Sequence, residues 1–100
     1  MIKKFSISAK LWLYPGEKAS WHFLTIPKKV SQQIKEETSH IKRKGWGSLR
    51  VKVVINKSSW DTSIFPDGKT GTYVLPVKAS VRRQEGLFDG DSVKFSITLL

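Results

Sequence analysis

Phe5, Ile7, Ala9, Leu11 and Leu13 alternate with Ser6, Ser8, Lys10, Trp12 and Tyr14, and a period of two predicts a strand that buries one face. Pro15-Gly16-Glu17-Lys18 supplies a turn, so Trp21 to Ile26 returns as a second strand and residues 5–26 make a long hairpin. Beyond Pro27 the period changes. Val30 and Ile34 stand four apart among Lys28, Lys29, Gln32, Gln33 and Lys35, which suits a short helix from Lys28 to Glu37 with a narrow apolar stripe. Leu49, Val51, Val53 and Ile55 restore the alternation, and Asn56-Lys57 turns the chain into Ser58 to Phe65, where Trp60, Thr62 and Ile64 share a face. Thr72 to Leu75 reads as a fifth strand. Val77 to Glu85 reads as a second helix with Val77 and Val81 inward, and Gly86 is placed to end it. From Ser92, the alternation of Val93, Phe95, Ile97 and Leu99 gives a sixth strand.

One unit therefore occurs twice: an extended stretch reaching a proline, a short helix, a polar or glycine-containing connection and a further strand. Pro27 centres the first copy and Pro76 the second. Two copies of one supersecondary unit pack about a pseudo-twofold axis into a shared core. Six strands and two short helices in 100 residues predict a mainly β fold, a small closed or nearly closed six-stranded barrel, because closure hides the strand edges that an open sheet exposes. An open α+β sheet with both helices on one face is the alternative.

Composition narrows this further. A hydrophobic fraction of 39% over this length fits one domain, residues 1–100. With no cysteine, neither disulfides nor thiolate metal sites staple the fold, and stability must come from apolar burial. Lys3 and Lys4 stand where a signal peptide carries its charge, but Ser6, Ser8 and Lys10 interrupt what would be its apolar run. The reading is a cytoplasmic protein with no membrane segment. Eighteen Lys and Arg against eight Asp and Glu give a net charge of +10, which biases encounter toward phosphorylated ligands, nucleic acid and acidic protein surfaces.

Most chemistries find no residues to carry them. Gly45-Trp46-Gly47-Ser48-Leu49-Arg50 starts like a dinucleotide fingerprint but has Arg50 in place of the third glycine, and Gly68-Lys69-Thr70 ends like a phosphate-binding loop with Ser63 where the first glycine belongs. His22 and His40 lack ligand spacing, so no metal site and no cofactor is expected. No serine sits in a nucleophile elbow, and Asp89-Gly90-Asp91 is explained as a turn, so no catalytic residue is assigned. What remains is basic and aromatic. Lys78 and Arg82 stand four apart with Arg83 beside them, a set able to clamp a phosphate or carboxylate, although an Arg82–Glu85 pair on the helix surface is the plainer reading. Lys42, Arg43 and Lys44 precede Trp46 in an aperiodic stretch that reads as an exposed loop, and cations beside an aromatic ring suit single-stranded nucleic acid. Trp12, Trp21, Trp60 and Phe65 read as core or barrel-rim packing.

Trp60-Asp61-Thr62-Ser63-Ile64-Phe65-Pro66, Gly71-x-Tyr73-x-Leu75-Pro76-Val77-Lys78, Val81-Arg82-Arg83 and Gly90-Asp91-x-Val93 occur in order. With Trp21-His22-Phe23, Ile26-Pro27 and Gly45-Trp46-Gly47-Ser48-Leu49-Arg50-Val51 in the first half, the chain resembles a small prokaryotic family of domains of unknown function. Its members occur alone or joined to the YdeI/OmpD-associated (bacteriocin-protection) domain, for which this length leaves no room. The resemblance implies a six-stranded barrel and, carried over by position, polar signature residues at Thr62, Ser63, Lys78, Arg82 and Asp91. Charge and resemblance together point to a non-enzymatic binding module for an anionic partner, either a small phosphorylated or carboxylated ligand or nucleic acid. A protein-interaction scaffold is the second reading and an enzyme acting on a small phosphorylated substrate the third.

Overall fold

The computed structural model describes residues 4–15, 20–39 and 47–100. Six strands, β1 (Lys4–Pro15), β2 (Ser20–Thr25), β3 (Leu49–Ile55), β4 (Ser58–Asp67), β5 (Thr72–Pro76) and β6 (Ser92–Leu99), close into a barrel in the order β1-β2-β5-β4-β3-β6. Helix α1 (Lys28–Glu37) follows β2, and α2 (Ala79–Glu85) follows β5. Every neighbouring pair is antiparallel. The alternation in β3 is realised directly: Leu49, Val51, Val53 and Ile55 are buried, while Arg50 and Lys52 face out. Phe5, Ile7, Leu11, Leu24, Ile64, Tyr73, Leu75, Val93, Phe95 and Ile97 complete the barrel interior, with Ile34 of α1 and Val81 of α2 joining it. No helix among the described residues is long and apolar enough to cross a membrane.

The duplication is exact at the level of topology. Exchanging β1 with β4, β2 with β5 and β3 with β6 carries each neighbouring pair onto another, and the β2–β5 and β3–β6 pairs onto themselves. A pseudo-twofold axis therefore passes between β2 and β5 on one side and between β3 and β6 on the other. Hydrogen bonds fix the equivalent residues. The Ile26 amide donates to the Tyr73 carbonyl at 2.8 Å, and the Val77 amide donates to the His22 carbonyl at 2.9 Å. The Ser31 amide donates to Pro27 O, and the Arg82 amide to Lys78 O. Ile26 thus answers to Val77, Tyr73 to His22, and Ser31 to Arg82. The repeat drawn on the two prolines is out of step: Pro27 is equivalent to Lys78, both being N-cap positions, and α2 starts at Ala79 rather than Val77.

Two other expectations change. Leu13 continues the inward register of β1 yet is 37% exposed, because β1 pairs with β6 only from Lys4 to Lys10, and from Leu11 to Pro15 β2 is its one strand partner, the 89–91 turn bonding Leu11 and the Leu13 amide on the other side. It extends past the packed interior. Trp21 and Phe65 are not core residues either, with 56% and 39% of their surface exposed. Trp21 lies on that same two-stranded extension, opposite Tyr14, and Phe65 follows the inward Ile64 and so faces out. Trp60 packs against the core as its alternation predicts, and Trp12 is half-buried.

Candidate functional site

The two helices occupy equivalent seats in different ways. In the first, Ser31 is fully buried; its hydroxyl donates to Ile26 O at 3.0 Å and accepts from the Tyr73 amide at 3.0 Å. Helix α1 then continues through Ile34 and Lys35, whose ammonium donates to Gly71 O at 2.8 Å, to a buried Thr38 that donates to Ile34 O. In the second seat a guanidinium replaces the hydroxyl. Arg82 Nε donates to Val77 O at 3.2 Å, the counterpart of the Ser31 to Ile26 bond. Where α1 has Lys35, α2 reaches Gly86 at φ 64°, a left-handed residue that ends the helix, with the Gly86 and Leu87 amides both closing onto Arg82 O. Only Val81 of α2 is buried.

The shorter helix leaves a groove of about 550 Å³, lined by His22, Arg82, Arg83, Leu87, Phe88 and Asp89 with the Gly86 backbone. Its cations come from the last turn of α2, where the carbonyl end of a helix favours positive charge. Asp89 is partly committed, its Oδ1 accepting from the Leu13 amide at 3.2 Å. His22 Nδ1 is buried and has no hydrogen-bond partner among the described residues. Burial, and secondly the positive charge of Arg82, push the His22 pKa below its ordinary value of 6.5, partly opposed by Asp89. At neutral pH the ring is neutral. Phe88, 72% exposed, and the half-buried Leu87 add apolar surface beside the two guanidinium groups.

Of the residues expected to form one ligand site, only Arg82 and Arg83 line this groove. Lys78 caps the other end of α2 and borders a depression with Lys57, Ser59, Trp60 and Gln84. Ser63 accepts from Arg50 at 3.3 Å on β4, where Thr62 pairs with Val51. Asp91 accepts from the Phe88 amide at 2.8 Å and so closes its own turn. The expected Arg82–Glu85 pair is replaced. Glu85 accepts from Ser58 at 2.6 Å and Asn56 at 3.0 Å, tying α2 to the β3–β4 hairpin, and those bonds, Ser58's first, lower its pKa. Lys42, Arg43, Lys44 and Trp46 lie outside the described residues, as does His40. No cluster of three or more potential metal-binding side chains forms among the described residues. Leu87 and Phe88 escaped the sequence reading, and His22 and Asp89 were set aside there for want of ligand spacing and as a turn residue, since only the β2–β5 register and the early stop of α2 bring the four to Arg82.

No curated protein matches the chain. The family model for the domain of unknown function DUF1905 matches residues 8–97, from within β1 to within β6, with both helices and the whole groove inside the match. The chain belongs to the DUF1905 family.

Proposed function

We propose that this barrel is a non-enzymatic binding module that takes a small phosphate- or carboxylate-bearing ligand with an apolar portion in the groove beside α2. The observation that carries this reading is the pair Arg82 and Arg83 lining one concave site next to Leu87 and Phe88. Guanidinium groups match the planar geometry of an oxyanion and desolvate more readily than an ammonium. The Arg82 side chain is held by its Nε bond to Val77 O, which preorients the remaining guanidinium donors and lowers the ordering cost of binding. His22 is the one group in the lining suited to exchange a proton near neutral pH, and the lining offers no Ser, Thr, Cys or Lys nucleophile for it to activate. Recognition therefore fits the site better than reaction.

A thermal-shift panel with inorganic phosphate, phenyl phosphate and benzoate tests it, since a ligand that binds only the folded state raises the melting temperature. The aryl anions are expected to raise it more than inorganic phosphate, and Arg82→Ala to abolish the shift. No shift with the wild-type protein, or an equal shift in Arg82→Ala, refutes the reading.

A further inference from the structure

On the outer wall of the barrel, where the pseudo-twofold axis leaves between β2 and β5, the expected polar positions are aromatic. Tyr14, Trp21, Phe23, Phe65, Val74 and Pro76 line an open apolar depression of about 410 Å³. The rings brace one another: Trp21 and Phe23 lie nearly parallel with centroids 6.5 Å apart, and Trp12 sits 5.1 Å from Phe23 and edge-on to Tyr14. The Trp12 indole is fixed by its bond to Thr25 Oγ1 at 2.8 Å. We infer that this face is a stacking platform for a single-stranded nucleic acid, independent of the groove beside α2.

Two observations select that occupant. Four of the six lining residues are aromatic, so the wall presents ring faces, which stack on unpaired bases whatever their sequence. Its surroundings are cationic. Lys10 is exposed two residues before Trp12 on β1. Arg50 reaches Ser63, two residues before Phe65 on β4. The β2–β5 register, extended by the bond from the Val77 amide to His22 O, sets Lys78 opposite Trp21. Of the two carboxylates on β4, Asp67 is turned to its own loop, accepting from the Lys69 amide at 3.0 Å, and Asp61, exposed on the face of Phe65 but four residues from it, pairs across the β3–β4 ladder with Lys52. In a chain of net charge +10, cations on three sides of a ring array complement a polyphosphate backbone. A duplex hides the faces of its bases and would forgo the stacking.

Fluorescence anisotropy with a labelled oligothymidine, and with the same strand annealed to its complement, tests the inference at about 50 and about 200 mM salt. The single strand is expected to bind more tightly than the duplex, with affinity falling steeply as salt rises. Trp21→Ala should weaken it between about fivefold and about 150-fold, the cost of losing one base stack, whereas Trp21→Phe should retain most of the affinity. Arg82→Ala, which empties the groove of its central cation, should leave it unchanged and so separates this inference from the groove reading. Because Trp21 is exposed, folding of these variants is verified by circular dichroism, and Tyr14→Ser provides a second variant on the same face. Absence of single-strand binding at the lower salt overturns the inference, as does equal affinity in Trp21→Ala and Tyr14→Ser, or a preference for duplex. So does a face that takes an acidic proline-rich peptide in place of the oligonucleotide.

Discussion

Ser31 and Arg82 occupy equivalent positions in the two halves of one barrel, and one of them ends in a closed seat while the other borders a groove. Each donates from its side chain to the backbone oxygen at the foot of its helix, Ile26 in one case and Val77 in the other. A hydroxyl is small enough to finish the task inside the protein, and Ser31 also receives the Tyr73 amide. A guanidinium is too large and too charged for that. It spends one donor on Val77 and keeps others at the groove, next to a His22 whose Nδ1 has no partner among the described residues. The backbone frame is thus conserved between halves, and one side-chain replacement plus an earlier helix stop converts packing into an open groove.

The hardest test of this comparison is a pair of truncations, one at the buried apolar residue of each helix. Ile34 is fully buried under α1, and Val81 is the buried residue of α2. Ile34→Ala should cost about 3–4 kcal/mol, since it removes a branched side chain and leaves a cavity. Val81→Ala removes two methyl groups and should cost about 2 kcal/mol. Urea denaturation reads both, and because Val81 loses two carbons against three for Ile34, an equal cost would mean that the α2 seat is packed more tightly around the carbons removed than its counterpart.

Exchanging the polar residues sharpens the contrast. Ser31→Ala takes away the acceptor of the Tyr73 amide and the donor to Ile26 O in a buried site, for an expected loss of about 2 kcal/mol. Arg82→Ser should cost under about 1 kcal/mol, because one partly exposed bond is lost and bulk water reaches the groups left behind. Its larger effect should fall on ligand-induced thermal shifts. If Ser31→Ala proved the milder of the two in denaturation, Arg82 would be a structural brace and the groove a by-product of it.

How much of this was legible beforehand follows from the range of the forces involved. Strand alternation from Phe5 to Leu11, from Leu49 to Ile55 and from Val93 to Ile97 is local, and it placed the strands and the buried faces. The barrel followed from the need to cover edges. Arg82 and Arg83 could be marked because two adjacent cations on a helix are visible in one dimension. The equivalence of Ser31 with Arg82 could not, since the prolines, the most conspicuous markers of the repeat, stand out of step with the hydrogen-bond frame. His22 was set aside for want of ligand spacing, because its meeting with Arg82 depends on a strand pairing between distant segments. For Trp21 and Phe65 ring size argued for burial and left core and barrel rim both open, whereas their parity along the strands turns them outward and out of the core.

The smallest effect expected is also the one that reports on the groove without changing Arg82. Burial and the Arg82 charge lower the His22 pKa in the folded protein, while in the unfolded chain it returns to about 6.5. Between those two values the unfolded state binds more protons, so the stability that His22 contributes is complete above pH 6.5. It falls as pH drops through 6.5 toward the folded pKa, and is constant below it. His22→Gln should flatten that limb of the pH–stability curve. A bound anion reverses the bias, because its charge favours the imidazolium and opposes the repulsion from Arg82. With benzenesulfonate as a probe whose own charge is fixed across the range, affinity should rise as pH falls below 6.5 in the wild-type protein and stay level in His22→Gln. The closed seat supplies the control: Tyr73 stands there in place of His22, so Ser31→Ala should lower stability by the same amount at every pH in this window. An anion affinity independent of pH would place the ligand away from His22, and the open seat would then differ from the closed one in packing alone.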